Sequence, residues 1–174
     1  MEERNIRAII GLGNPGHQYR NNRHNIGFKV LDVLADQHAA SWSEKPLMHV
    51  TEIQINNKKV ILIKPQTFMN SSGQVISFLQ KKGIAAENIM VVHDELEKKF
   101  GSVAVRQGGS HRGHNGLRSI IGSCGQDFWR IRFGVGRPEN KDDVSDYVLS
   151  NFQEDPAEID RLIGEVIELI EEQK

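Results

Sequence analysis

An apolar run that enters a glycine-rich turn constrains the fold of this chain more than any other segment. Residues 8–10 are all apolar, which predicts a buried strand over residues 7–12. Glycines at positions 11, 13 and 16 then allow the backbone to turn sharply. The turn leads into a polar segment, residues 17–25, which contains a candidate general base, His24. We therefore expect a functional site just beyond this strand.

Strand and helix patterns alternate along the rest of the chain. Further strands are predicted at residues 50–55, 60–63, 89–93, 102–106 and 130–135. Helices are predicted at residues 23–38, from Ser71 or Ser72 to Gly83, at 117–121 and at about 155–173. Asn56-Asn57 supplies a hairpin turn, so at least one strand pair is antiparallel. The sequence predicts an α/β fold with one domain, residues 1–174, and a mixed central β-sheet flanked by helices.

The last helix has the clearest local signals and an unusual charge. Asp155 is a suitable N-cap, Pro156 fits the first turn, and Glu158 occupies the position of a capping-box acid. Residues 139–174 carry 3 basic and 12 acidic side chains, whereas residues 1–138 carry 19 basic and 11 acidic ones. A basic body with an acidic C-terminal segment favours a polyanionic partner such as nucleic acid, unless both charge sets are ordinary solvated faces.

The composition also indicates the cellular compartment in which we expect the protein. Its longest apolar runs are much shorter than a membrane span, and its first residues, Met-Glu-Glu-Arg-Asn, lack the apolar core of a signal peptide. The single cysteine, Cys124, cannot form an intrachain disulfide and fits a reducing environment. We expect a cytoplasmic protein.

A carboxylate, Asp94, follows a second apolar strand and supports the assignment of His24 as the base. Buried strands of α/β sheets commonly deliver functional groups at their carboxyl ends. A carboxylate that hydrogen-bonds one ring nitrogen fixes the tautomer and stabilises the imidazolium formed when the other nitrogen accepts a proton. Spacing alone leaves His93, His111 and His114 open as bases that could use the same aspartate.

Three other chemistries fit the sequence less well. The pattern Gly-x-Gly-x-x-Gly at residues 11–16 suggests dinucleotide binding, but no apolar helical stripe begins until Ile26. His93-Asp94-Glu95 and the His111–His114 pair offer metal ligands, although histidines three apart in a glycine loop are not held rigidly. Covalent catalysis would need a nucleophile. Ser110 lacks the spacing of a nucleophile elbow, and Cys124 fits a small core residue equally well.

The remaining chemistry is water activated by a histidine, assisted by neutral side chains. Asn14, Asn70 and Asn115 each lie beside a glycine or a sharp turn. Asparagines at such positions are often only turn formers. An amide can also donate to a developing oxyanion and accept from a substrate N–H, without a charge that competes with the base.

Five motifs, taken together and in order, resemble those of bacterial peptidyl-tRNA hydrolase. They are Gly-Leu-Gly-Asn-Pro-Gly at 11–16 with Arg-His-Asn at 23–25, Lys-Pro-Gln-Thr-Phe-Met-Asn at 64–70, His-Asp-Glu-Leu at 93–96, Gly-His-Asn-Gly-Leu at 113–117 and Arg-Phe-Gly-Val-Gly-Arg-Pro at 132–138. The match runs from about residue 7 to 150, and its compatible spacing makes it specific.

The resemblance implies a carboxylic-ester hydrolase that uses no metal and no cofactor. Its substrate would be the ester between the peptide and the 3′ ribose of tRNA, in drop-off products and stalled ribosomal complexes. By motif match, His24 would activate water, Asp94 would orient and stabilise His24, and Asn14 would favour N-blocked esters. Substrate and tRNA would contact six further residues: Tyr19, Phe68, Met69, Asn70, His114 and Asn115.

The resemblance also implies partners and an oligomeric state. The partners would be the acceptor end of peptidyl-tRNA and stalled large ribosomal subunits, with no membrane, and the protein would be a monomer. Tyr19 and Phe68 are candidates to stack on the terminal adenine. Candidate phosphate contacts are basic side chains of the second half of the chain: Lys98, Lys99, Arg106, Arg112, Arg130 and Arg132.

Two departures from the family pattern bear on RNA affinity. Arg112 stands where we expect a small residue or glycine in many relatives, and the C-terminal helix ends in an acidic segment instead of a basic tail. Arg112 would either add an RNA contact or narrow the cleft. With the acidic C-terminal segment, we expect weaker tRNA binding that depends strongly on salt. The main rival from another class is a non-catalytic RNA-binding relative, against which the presence of His24, Asp94 and the three asparagines argues.

Overall fold

Seven strands and five α-helices make up the fold in the computed structural model, which describes residues 4–172. The strands are β1 (Ala8–Gly11), β2 (Ser43–Lys45), β3 (Met48–Ile55), β4 (Lys58–Pro65), β5 (Ile89–Glu95), β6 (Val103–Gln107) and β7 (Trp129–Gly134). The α-helices are α1 (Ile26–Gln37), α2 (Ile76–Gln80), α3 (Asn115–Cys124), α4 (Val144–Val148) and α5 (Pro156–Glu171). Short 3-10 helices lie at His17–Tyr19, Arg23–Asn25, Met69–Val75, Ala86–Asn88 and Lys141–Asp143.

All seven strands belong to one mixed sheet, in the order β2-β3-β4-β1-β5-β7-β6. The central pairs β4–β1, β1–β5 and β5–β7 are parallel. The outer pairs β2–β3, β3–β4 and β6–β7 are antiparallel. The predicted α/β fold with a mixed central sheet is thus confirmed, and the hairpin at Asn56-Asn57 joins β3 to β4 as predicted.

Helices cover both faces of the sheet because the central strands are apolar on both sides. Alternate side chains of a strand point to opposite faces, so the neighbours Ile9 and Ile10 of β1 belong to different cores. The Ile9 face packs against α1 and α5, and the Ile10 face packs against α2 and α3. Among residues 4–172, no helix combines the length and apolarity needed to cross a membrane.

Two glycines fix how α1 begins against the sheet. A Cβ atom added at Gly27 would lie 2.3 Å from the backbone nitrogen of Leu12 and 2.5 Å from the carbonyl oxygen of Val92. A Cβ atom at Gly11 would lie 2.4 Å from the carbonyl oxygen of Gly27. Because neither position carries a side chain, the start of α1 contacts the end of β1 and the middle of β5 directly. This contact brings the residues just before α1 close to the end of β5.

The structure corrects several local predictions. The proposed cap by Ser71 or Ser72 is wrong, because residues 69–75 form a 3-10 helix in which the buried Ser72 hydroxyl donates to the carbonyl oxygen of Met69 at 2.7 Å. The cap of α5 is confirmed, since Asp155 Oδ1 accepts from the Ala157 N–H at 2.9 Å. Glu158 pairs with Arg161. The strand β2 and the helix α4 were not predicted.

Candidate active site

A cavity of about 650 Å³ opens where β1 and β5 end. Eight of the nine site residues that the sequence predicted line it: Asn14, His24, Phe68, Met69, Asn70, Asp94, His114 and Asn115. Tyr19 is the exception and is not among the lining residues. It lies on the 3-10 helix His17–Tyr19, whose neighbouring residues 16–18 and 20 are exposed, so this part of the loop runs over the outside of the protein. Tyr19 itself is half-buried, and its predicted contact with substrate or tRNA stays a prediction.

His24 and Asp94 are in direct contact at the inner end of the cavity. His24 lies in the 3-10 helix Arg23–Asn25, and Asp94 is the last but one residue of β5. His24 Nδ1 lies 2.9 Å from both carboxylate oxygens of Asp94, which is only 2% exposed. Because a carboxylate only accepts hydrogen bonds, Nδ1 carries the proton and donates it. The other ring nitrogen, Nε2, is left free to accept a proton on the cavity side.

His114 also contacts Asp94, but its protonation state is fixed by α3. Its Nε2 lies 2.9 Å from Asp94 Oδ1, and its Nδ1 accepts from the backbone N–H groups of Gly116 at 3.1 Å and Leu117 at 3.3 Å. Backbone amides can only donate, so Nδ1 carries no proton and Nε2 carries one. A second proton would break this N-cap and add positive charge at the positive end of a helix dipole. His114 is therefore a neutral donor to Asp94.

The other two histidine candidates do not reach the Asp94 carboxylate. His93 is buried and its Nδ1 donates to the backbone oxygen of Asp94 at 2.8 Å. Burial is the main cause that lowers the pKa of His93 to about 4. His111 Nδ1 accepts from the Gly113 N–H at 2.9 Å. Of the four histidines that the sequence left open, His24 is thus the one with an available nitrogen and a carboxylate partner.

The pKa shifts of the contacting pair follow from their surroundings. Burial acts to lower the pKa of His24, but the charge of Asp94 and the hydrogen bond to it outweigh burial and raise this pKa above the ordinary value of 6.5. Burial acts to raise the pKa of Asp94, yet the two histidines bring it well below its usual range. Asp94 is therefore ionised, and it stabilises a positive charge on His24.

Asn14 is held by backbone groups on two sides of the cavity. Its Oδ1 accepts from the Met69 N–H at 2.7 Å, and its own backbone N–H and carbonyl bond the side chain of Asn25 at 3.0 and 2.9 Å. The Met69 amide can only donate, which assigns the oxygen of the Asn14 carboxamide to that side. The Nδ2 amide of Asn14 is consequently left as a donor at the cavity. Asn70 and Asn115 are exposed lining residues.

The cluster of His24, Asp94 and His114 fits a hydrogen-bond network better than it fits a metal site. Among residues 4–172, the ligand atoms of His24, Asp94 and His114 lie within 4.8 Å of one another. A metal on Nε2 of His114 would displace a proton that Nδ1 cannot accept without losing the cap of α3. The donor set therefore suits proton transfer better than it suits metal binding.

The dinucleotide and thiol alternatives also lose support. Gly16 has a positive φ of 116° and leads into the exposed 3-10 helix His17–Tyr19, whereas a dinucleotide motif needs its third glycine inside an α-helix. Cys124 ends α3 and does not line the cavity. Burial is the main cause that raises the pKa of Cys124 to about 11, which disfavours a reactive thiolate.

One wall of the cavity is basic. Arg132 donates to Glu95 at 2.8 Å, and Arg137 pairs with Glu97. Within the described part of the chain, three lining cations have no side-chain hydrogen bond or ion pair: Arg106, Arg112 and Lys141. Two of the candidate phosphate contacts, Lys98 and Lys99, are not lining residues.

Another part of the cavity wall was not anticipated from the sequence. Val144, Ser145, Val148 and Leu149 of the α4 region line it. Arg23, next to His24, attaches this wall: its guanidinium donates to the carbonyl oxygens of Tyr147 at 3.0 Å and Ser150 at 3.4 Å. It also stacks 3.9 Å from the centre of the Tyr147 ring. The sequence did show an arginine directly beside the candidate base. It could not show which residues this arginine binds, because they follow more than 120 residues later.

Comparison with known proteins assigns the family. The family profile described as peptidyl-tRNA hydrolase matches residues 8–173. The chain is 47% identical over 165 residues to the peptidyl-tRNA hydrolase of Fervidobacterium nodosum, covering 94% of this chain and 86% of that protein. It is 48% identical over 147 residues to that of Rickettsia bellii, covering 83% and 80%.

Solved structures agree with this assignment. The crystal structure of peptidyl-tRNA hydrolase from Acinetobacter baumannii is similar with a TM-score of 0.86 and 38% identity, covering 97% of this chain and 86% of that one. The same family is thus reached from the sequence and from the backbone. The chain belongs to the peptidyl-tRNA hydrolase family and is a hydrolase.

Proposed function

We propose that this protein hydrolyses the ester between the peptide and the 3′ ribose of tRNA in peptidyl-tRNA. It would act in the cytoplasm as a monomer without a cofactor, on drop-off products and on stalled large ribosomal subunits. The observation that carries the proposal is the ionised Asp94 that bonds His24 and the neutral His114 at the inner end of the cavity. Family membership supports the substrate class.

The chemical step needs one base and one water molecule. His24 Nε2 accepts a proton from water as the water oxygen bonds the ester carbonyl carbon. The resulting imidazolium is stabilised by Asp94, and it returns the proton to the ribose oxygen as the ester C–O bond breaks. The products are the peptide carboxylic acid and tRNA with a free ribose hydroxyl. A general base of this kind contributes roughly 10²–10⁴-fold to the rate.

Asn14 gives a physical basis for preferring N-blocked substrates. Its Nδ2 donor faces the cavity because its oxygen is bonded to the Met69 N–H. An N-blocked ester presents a carbonyl oxygen that accepts from such a donor. A free aminoacyl ester presents an ammonium group, which only donates and therefore cannot pair with the amide N–H groups.

The rim of the cavity supplies groups for the acceptor end of tRNA. Phe68 is 63% exposed, so its ring is available to stack on the terminal adenine. Asn70 and Asn115 offer amide groups beside it, while Met69 is buried and contributes its backbone and an apolar surface. Tyr19 would contact RNA only outside this cavity.

The basic wall is suited to phosphates. Arg130 is buried, and its pKa falls to about 10, chiefly because of burial and then because of repulsion by Arg106 and Arg132. Guanidinium groups that crowd one another in this way are stabilised by an anion placed between them. We therefore expect tRNA affinity to fall steeply with salt.

The activity is tested by release of tRNA from an N-acetylated aminoacyl-tRNA in the presence of EDTA. We expect rapid cleavage of the blocked ester and slow cleavage of the matching unblocked ester, because only the first offers Asn14 an acceptor. Cleavage of both esters at equal rates would contradict the role given to Asn14. Binding of tRNA without cleavage of either ester would favour a non-catalytic RNA-binding protein.

The pH dependence of kcat/KM should report the protonation of His24. The base must be neutral to accept a proton, so the rate should rise with pH and level off above the pKa of His24 in the free enzyme. Since Asp94 raises this pKa above 6.5, the midpoint should lie above 6.5. A rate profile that is flat across this region, or that falls as His24 loses its proton, would contradict the assignment.

A further inference from the structure

Arg112 occupies a backbone conformation that arginine rarely adopts. Its φ is 47°, in the left-handed region, within a loop where Gly108, Gly109 and Gly113 also have positive φ values of 73°, 107° and 84°. Glycine takes such angles without steric cost, whereas a residue with a Cβ atom is strained there. Arginine at this position thus requires an explanation.

The loop imposes this conformation from both sides. Below it, the buried Arg130 donates to the carbonyl oxygens of Ser110 at 2.8 Å and Gly109 at 2.5 Å. Around Arg112 itself, the His114 N–H donates to the carbonyl oxygen of His111 at 2.9 Å, and the Gly113 N–H donates to the His111 ring at 2.9 Å. These bonds close a turn with Arg112 at its tip, and His114 then joins the turn to Asp94 and α3.

The side chain at this tip is unpaired and lies at the cavity. Arg112 is exposed, lines the cavity and makes no hydrogen bond or ion pair with residues 4–172. Two other lining arginines, Arg132 and Arg137, are already paired with Glu95 and Glu97. Arg112 therefore presents an uncompensated guanidinium two residues from His114.

We propose that Arg112 binds a phosphodiester of the RNA acceptor end as it enters the cavity, and so determines tRNA affinity in this protein. This assignment rests on the proposed function. Strained residues persist where a function compensates for the strain. A guanidinium binds phosphate through two parallel N–H groups. Every tRNA offers phosphates near its acceptor end, whereas a peptide need not carry an acidic group.

The test compares Arg112→Gly with the wild type in binding to deacylated tRNA, a product whose binding requires no hydrolysis. Because glycine suits a φ of 47°, the variant should melt at or above the wild-type temperature. Its Kd at low salt should rise about tenfold. The slope of log K against log salt should become shallower by about 0.7, the value for one phosphate of a single strand.

Two further variants make the comparison sharper. Arg112→Lys keeps the charge and should retain the salt slope while losing part of the affinity. Lys45→Ala removes one positive charge from the exposed strand β2, at the opposite edge of the sheet, and should change neither Kd nor slope. An equal loss of affinity in Lys45→Ala would overturn the assignment in favour of general charge attraction.

Other outcomes separate this inference from the proposed function. An unchanged salt slope in Arg112→Gly would overturn the role of Arg112, even if the wild type cleaves blocked aminoacyl-tRNA. A defect seen only with acidic N-blocked residues, with unchanged tRNA binding, would move Arg112 to the peptide and overturn it as well. If the wild type binds tRNA but cleaves no ester, the proposed function fails, while the binding data still decide the role of Arg112.

Discussion

Replacement of His24 by alanine should lower kcat for N-acetylated aminoacyl-tRNA by roughly 10²–10⁴-fold, the usual contribution of a general base. The substitution removes the nitrogen that would accept the proton of water, and neither His114 nor His93 can replace it. His114 has its free nitrogen engaged by the backbone of α3, and His93 is buried against the carbonyl oxygen of Asp94. The affinity for deacylated tRNA should stay close to that of the wild type.

The matched control for this substitution is His17→Ala. His17 is exposed on the same loop and does not line the cavity, so its removal should leave kcat and tRNA binding nearly unchanged. Single-turnover kinetics and a tRNA binding curve for each variant would separate chemistry from affinity. His24→Ala with most of the wild-type kcat would show that the base is a different group.

Replacement of Asp94 by asparagine should be as damaging although it changes only one atom. His114 must donate from Nε2 because its other nitrogen caps α3, so the amide oxygen of Asn at position 94 would face His114. The NH₂ group would then take the Oδ2 position, 2.9 Å from His24 Nδ1, where it competes with the amide oxygen for that nitrogen. Donation from NH₂ to Nδ1 moves the His24 proton to Nε2. The nitrogen at the cavity would no longer be a base. An exchange that fixes the wrong tautomer in this way costs on the order of 10⁴-fold in kcat.

The pH dependence of kcat for Asp94→Asn distinguishes a wrong His24 tautomer from simple loss of the Asp94 charge. If the tautomer is wrong, a higher pH cannot restore the activity of Asp94→Asn, because His24 is already neutral. Recovery at high pH would instead indicate that Asp94 acts only through its charge. Asp32→Asn is the control, since Asp32 pairs with Lys64 and does not line the cavity. It should retain wild-type turnover and show that the chemical change itself is harmless elsewhere.

Elements specified by neighbouring residues could be predicted from the sequence. The helix α5 has an apolar stripe and its own cap, so Asp155 was assigned correctly. The strand β5 extends two residues beyond the prediction because Asp94 and Glu95 pair with Phe133 and Gly134 of β7. Its apolar run ends earlier, and only the neighbouring strand shows that the ladder continues through the polar residues.

Elements specified by distant contacts could not be predicted. The strand β2 has three exposed residues and exists because it pairs with β3. The helix α4 has five residues, too few to show a helical period, and it is attached through Arg23. Ser72 looked like a cap because serine commonly is one, but its hydroxyl is buried and bonded to Met69.

In the site, too, neighbouring residues could be interpreted from the sequence, whereas distant contacts could not. The family motifs assigned His24, Asp94 and Asn14 to one site, whereas spacing alone could not decide among the histidines. That decision depends on which nitrogen each ring has free, and this follows from backbone groups such as the amides of Gly116 and Leu117. That Tyr19 is not among the lining residues likewise follows from the loop path after Gly16 and not from the residue type.

The bonds of Asn14 have a consequence for kinetic experiments. One asparagine links the loop after β1 to Asn25 next to the base and to Met69 in the rim. Alanine at position 14 would remove the bond to the Met69 amide and so release the segment that carries Phe68 and Asn70. Substitutions at Asn14 and Asn70 should therefore be non-additive. A rate defect in an Asn14 variant will measure a lost substrate contact together with a displaced rim.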